Sequence, residues 1–274
     1  MAEATLFFWG AVALKLTATA AVVVAASYFV ERSGPFVGAL VAALPTAAGA
    51  AYVILALEHP PAFVAASAVG SVASNAAVAL FAFVYAALAQ RRGLGASLGG
   101  ALAAWALAVA AIRAASWTLG SAVLVNLVAY AVTIPASRRY RSPGALGGPA
   151  KRGRYDLLAR AATVGLVVTL VTVASTRIGA LLTGVFALLP VAMSSIVVIL
   201  QPRIGGPATA SVLANAQAPL LGLGLAFAVV HLAVPLGVWW ALLLGLATSF
   251  GWSALLLAVR RALSDPRIRR RTCA

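Results

Sequence analysis

Long apolar runs with short polar interruptions dominate this chain. A helix needs about 20 mostly apolar residues to cross the hydrocarbon core of a bilayer. The pattern supplies nine such stretches, at about residues 5–29, 35–57, 62–89, 94–113, 117–136, 157–176, 179–200, 208–233 and 236–262. The stretch 94–136 is too long for one crossing, and Arg113 followed by Ser116 and Trp117 marks where it divides. The third and eighth stretches exceed a perpendicular crossing, which implies tilt or extension beyond the membrane. The run Leu6–Phe29 holds Lys15 and leads to no soluble region, so it reads as a retained first span, not a cleaved leader.

Composition closes off the alternatives. Of 274 residues, 63% are hydrophobic and 9% are charged, with a mean hydropathy of +1.03. A soluble domain carries about 25% charged residues, so too few are present to coat a water-facing surface. The expected fold is all-α, a polytopic integral membrane protein. The net charge of +15 fits either a nucleic-acid binder or a positive-inside membrane protein, and its distribution decides. With the N-terminus outside and nine spans threaded, the inner side receives Arg32, Arg91, Arg92, the arginines of 138–154 with Lys151, Arg203, Arg260, Arg261 and Arg267–Arg271. The outer side receives only Arg113 and Arg177, while Lys15 and Arg160 fall within spans. This bias places the N-terminus outside and the C-terminus on the cytoplasmic side of the membrane. No aromatics interleave the arginines, so nucleic acid is not an expected partner; membrane lipids are, and a homo-oligomer is allowed. One cysteine, Cys273, excludes an intrachain disulfide and a Cys/His zinc site.

The chain also repeats itself. Displaced by 145 residues, Val22–Leu55 lies over Val167–Leu200 with identities that include Arg32/Arg177, Gly34/Gly179, Leu44/Leu189 and Pro45/Pro190. Lys15 falls on Arg160, and at a displacement of 147 Trp105 meets Trp252. The expected organisation is a four-helix repeat over 1–116, a linking span and basic loop over 117–156, and a second four-helix repeat over 157–274. An odd number of spans separates the copies, so the second is inserted upside down. Inverted repeats are typical of secondary transporters, because two similar halves of opposite orientation give two near-equivalent states, one open to each side. Channels and inert bundles also use such duplication.

Candidate site residues follow from that layout. Lys15 and Arg160 are cations within spans, suited to hold an anionic group together, or to snorkel to the interface. Pro45 and Pro190 interrupt the second and seventh spans, and each deprives a carbonyl four residues back, Val41 or Phe186, of its donor. Paired interruptions point to a midplane site, flanked here by Thr46 and Ser194. Asn75 and Asn215, with Ser71, Ser74 and Gln217, line a path or tie helices together. Glu31, Arg32 and Arg177 suit an interfacial ion pair. Gly34/Gly38 and Gly95/Gly99 suit close helix packing. His231 could titrate near neutral pH, or simply pack. Phosphate-binding loops, nucleophile elbows, zinc-protease signatures and mid-span carboxylates are all missing. Enzymatic activity, metal binding and cofactors are therefore not expected.

The run Lys15, Glu31-Arg32-Ser33, Gly38-Ala39-Leu40 and Leu44-Pro45-Thr46 resembles the GlpM-like family of small bacterial membrane proteins. The resemblance covers about 60 residues of the first repeat and returns weakly in the second, where Arg160 replaces the Lys and Thr176 the Glu. It implies a fused, inverted pair of four-helix units in a bacterial inner membrane, with a link to exopolysaccharide production. The expected function is alternating-access transport of a small anionic solute or an anionic lipid headgroup. The alternative is a non-transporting scaffold for envelope or exopolysaccharide biogenesis.

Overall fold

The computed structural model describes residues 46–141 and 156–264. Every regular element among the described residues is helical: α1 (Thr46–Glu58), α2 (Pro61–Leu88), α3 (Leu94–Arg113), α4 (Leu119–Ser137), α5 (Asp156–Ala187), α6 (Val191–Ile204), α7 (Gly206–Ala233) and α8 (Val238–Ser264). Six helical segments are long and apolar enough to cross a bilayer, which marks a multi-pass membrane protein. The first expected span and most of the second lie outside the described residues, as do Lys15, Glu31, Arg32, Pro45 and the Gly34/Gly38 pair.

Local chemistry sets the helix ends. Pro60 is extended and Pro61 occupies the first turn of α2, where a missing N–H costs nothing. Thr118 and Ser121 cap α4 reciprocally, each side chain accepting from the other's backbone N–H at 3.2 and 3.0 Å. The division expected after Arg113 is thus real: α3 ends there and α4 is newly capped. The apolar segment Val168–Ile204 spans 37 residues, which a straight helix would extend to about 56 Å, too long for one crossing. It folds back at Gly179, whose φ of 77° is the left-handed region that favours glycine.

α2 and α7 form the centre and run antiparallel over their whole lengths. The contacts fall in order: His231 to the Ala65 carbonyl, Asn75 to that of Leu220, Gln217 to that of Ala79, and Gly206 against Ala89. α4 lies across both, giving Asn126 to the Val72 carbonyl and Thr133 to Gln217. α3 packs on α2 through Gly100, and α8 packs on α7 through Gly245 and Gly222, with the Trp252 indole seated on Gly222. Element boundaries recur at the same displacement as the sequence identities. Thr46 and Val191 open α1 and α6, Pro61 and Gly206 open α2 and α7, and Leu88 and Ala233 close them, each pair 145 residues apart.

Among the described residues the charged ends also sort. Arg91, Arg92, Arg138, Arg139, Arg141 and Arg203 gather at one end of the bundle, and Arg113 and Arg177 belong to the other. Gly95 and Gly99 meet no other helix among the described residues; α3 turns Gly100 toward α2 instead.

Candidate functional site

The site is best built from Pro190 outward. The sequence places Pro190 inside a bent span with the Phe186 carbonyl left orphaned. The structure corrects this: the helix stops at Ala187, Pro190 is the N-cap residue of a new helix, and the chain between them is unwound. The Leu189 N–H reaches the Phe186 carbonyl at 3.0 Å and the Leu188 N–H the Val185 carbonyl at 3.3 Å. Shifting each bond back by one residue moves the orphan to Gly184, which has lost its Leu188 donor. Ser71 supplies the replacement, its Oγ donating to the Gly184 carbonyl at 2.9 Å. Ser74 donates to the neighbouring Val185 carbonyl at 3.0 Å. With the only hydrogen of Ser71 committed there, Tyr52 donates its hydroxyl to Ser71 Oγ across 2.7 Å.

Glycine makes this contact accessible. A Cβ on Gly70 would overlap the Leu181 carbonyl, and one on Gly184 would overlap the Ser67 carbonyl. The segment 180–187 therefore lies directly on the α2 backbone, close enough for a short serine side chain to reach its carbonyls. All these groups are buried: Tyr52 is 1% exposed and Ser71 and Ser74 are fully enclosed. They sit halfway along the 28-residue α2, which is mid-depth in the bundle.

The other side of the break presents a helix start. Pro190 provides no side-chain cap for α6; the Val191 N–H turns back to the Leu189 carbonyl at 2.7 Å, which leaves the Ala192 and Met193 amides without a partner among the described residues. Ser194 does not reach across: its Oγ bonds back to the Pro190 carbonyl at 2.8 Å, and Ser195 bonds the Ala192 carbonyl. Phe186 leans on Trp105 with ring centroids 6.4 Å apart. The break thus joins the carbonyl end of one half-helix, already capped by hydroxyls, to the open amide end of another.

Among the remaining expected residues, Asn75 is fully buried at the crossing of α2, α4 and α7. Its Nδ2 donates to the Leu220 carbonyl at 2.9 Å, and Tyr130 donates to its Oδ1 and carbonyl at 3.3 Å. Asn215 does not join it, since its amide bonds the Ser211 carbonyl one turn back on its own helix. Asn75 and Gln217 tie helices together. Arg160 belongs to α5, but its side chain, like that of Thr46, lies outside the described residues. Arg177 is exposed at the same end of the bundle as Arg113, opposite the arginine cluster. His231 is engaged with the Ala65 carbonyl at 2.9 Å, and His59 meets Ser175 at 2.7 Å at the same end. The expected function of these residues as a converged cation pair has no described geometry.

Three contributors escaped the sequence reading. Tyr52 looked like one more aromatic in an apolar run, with nothing in the sequence to mark its hydroxyl's partner. Tyr85 donates to Gln201 at 2.7 Å, tying α2 to α6 below the break. Arg141 read as a topology charge, yet its Nε donates to the Ala214 carbonyl at 3.3 Å. Burial, then the neighbouring Arg138, lowers the Arg141 pKa from its ordinary value. Comparison of the chain with family models, curated proteins and solved structures gives no match.

Proposed function

We propose that this chain is a secondary transporter working by alternating access, with a small anionic solute or an anionic lipid headgroup as its substrate. One observation carries the reading most of the way. Asn75 and Leu220 are 145 residues apart, the displacement of the repeat, and they touch each other at the centre of the antiparallel α2/α7 pair. A residue in contact with its own repeat mate lies where a pseudo-twofold axis would pass. Because α2 and α7 are antiparallel, that axis would run in the membrane plane, the symmetry of an inverted-topology repeat. The paired packing of α3 on α2 and α8 on α7, and of α3 on α6 and α8 on α1, agrees with it.

We read the whole chain as nine spans, with α4 the linking fifth helix, the second copy inverted, and the arginine-rich end in the cytoplasm. The resemblance of Lys15–Thr46 to GlpM-like proteins fits the first copy of such a duplication. The anionic preference follows from two features: the amide end of α6 opens at mid-depth, where a helix dipole favours negative charge, and the sequence sets the cations Lys15 and Arg160 within expected spans. Native mass spectrometry of the gently extracted protein tests the substrate class. A co-purifying anion that disappears in the Lys15→Met, Arg160→Met double variant is the expected result. A folded protein that carries the same species in both forms would remove both cations from the site and favour a scaffold role.

A further inference from the structure

We propose that the break before Pro190 is a sodium site, formed by the carbonyl oxygens of Gly184 and Val185 and the hydroxyls of Tyr52, Ser71 and Ser74. Binding needs no transport reading; use of the ion to drive an anion rests on it. Five neutral oxygens lie along this contact in two adjacent sets, Tyr52 to Ser71 at 2.7 Å with Ser71 to Gly184 at 2.9 Å, and Ser74 to the next carbonyl, Val185, at 3.0 Å. Two of them are consecutive carbonyls at the end of a half-helix, the negative end of its dipole. Discontinuous helices hold alkali cations with such carbonyl ends.

The chemistry of the oxygens selects the ion. Calcium and magnesium are held by carboxylates, and neither α2 nor the segment 180–191 contains an acidic residue. An uncharged oxygen set suits a monovalent cation. The groups are buried and the helices touch backbone to backbone at Gly70 and Gly184, so the space favours a small ion over potassium. Each serine now spends its hydrogen on a carbonyl. Rotating those two hydrogens away turns both donors into acceptors and leaves every oxygen a lone pair to offer. The ion's charge is then opposed from across the three-residue gap by whatever anion the amide end of α6 holds. Sodium and solute would stabilise each other, which is the coupling a symporter requires.

The test is equilibrium binding of radioactive sodium to the purified full-length chain in nanodiscs, with melting temperatures in sodium, potassium and choline chloride at equal ionic strength. The expected result is saturable sodium binding and a higher melting temperature in sodium than in either other salt. Ser71→Ala with Ser74→Ala should abolish both. Tyr52→Phe removes one oxygen and keeps both carbonyl caps, so it should weaken binding by about tenfold without unfolding the protein. Absence of saturable binding, equal stabilisation by potassium, or undiminished affinity in Tyr52→Phe overturns the site, even if the double serine variant fails to fold. Sodium binding in a protein whose break is reached from one side only would keep the site and remove the transport reading. Access from both sides without sodium binding would do the reverse.

Discussion

At Gly70 and Gly184 a single methyl group decides whether two helices can meet. Each glycine faces backbone, not a movable side chain, so an added Cβ cannot be absorbed by a rotamer change. Overpacking of this kind costs about 1–3 kcal/mol and more where backbone must shift. Interhelical hydrogen bonds in membranes average only about 0.6 kcal/mol. Gly184→Ala should therefore destabilise the protein more than Ser74→Ala, although the serine makes the visible bond. Denaturation of each variant in mixed micelles gives the order, and a larger loss from the serine would show that capping outweighs contact. Asn75→Leu should fall between them, because inside the core it strips the Leu220 carbonyl of its side-chain donor and leaves Tyr130 only the backbone carbonyl of residue 75. At this scale the sequence was only partly readable. Ser71, Ser74 and Asn75 stood out as polar letters in an apolar run, but their targets are carbonyls, which carry no sequence signature. The Gly95/Gly99 spacing shows a shared face, not which face meets a neighbour, and among the described residues it is Gly100 that meets α2.

Elements were more legible than contacts. Helix type and the 113–119 boundary follow from apolar length and a threonine cap, and the turn at Gly179 falls where two spans were expected to part. Pro190 was legible as an interruption but not as a full break. A proline alone removes one bond and bends a helix; complete unwinding needs a neighbour able to satisfy the freed carbonyl, and that neighbour lies over 100 residues away in Ser71. Pro190→Ala should let the 180–187 segment and α6 fuse, since alanine restores a donor and favours helix by about 3 kcal/mol over proline. The expected outcome is unchanged or raised thermal stability, with the break closed to a thiol reagent at an engineered Ala192→Cys. A cysteine there that stays as reactive as in the Pro190 parent would show that α2, not the proline, keeps the helix open.

The described helices are arranged about the α2/α7 pair, which is tied at its middle by Asn75 and at its two ends by His231 and Gly206. On the proposed transport reading so continuous a contact suits a fixed spine, with α1, α6 and the 180–187 segment the parts that change place. On the same reading the solute is recognised by side chains at the break together with Lys15 and Arg160. The direct measurement is labelling by a membrane-impermeant thiol reagent applied separately to each face of sealed vesicles, in a Cys273→Ser background carrying Ala192→Cys or Thr46→Cys. Alternating access requires both positions to react from both faces, with labelling from one face reduced when the anion is present. Reaction of each position from a single face, whatever the solute, would contradict transport and leave a static bundle.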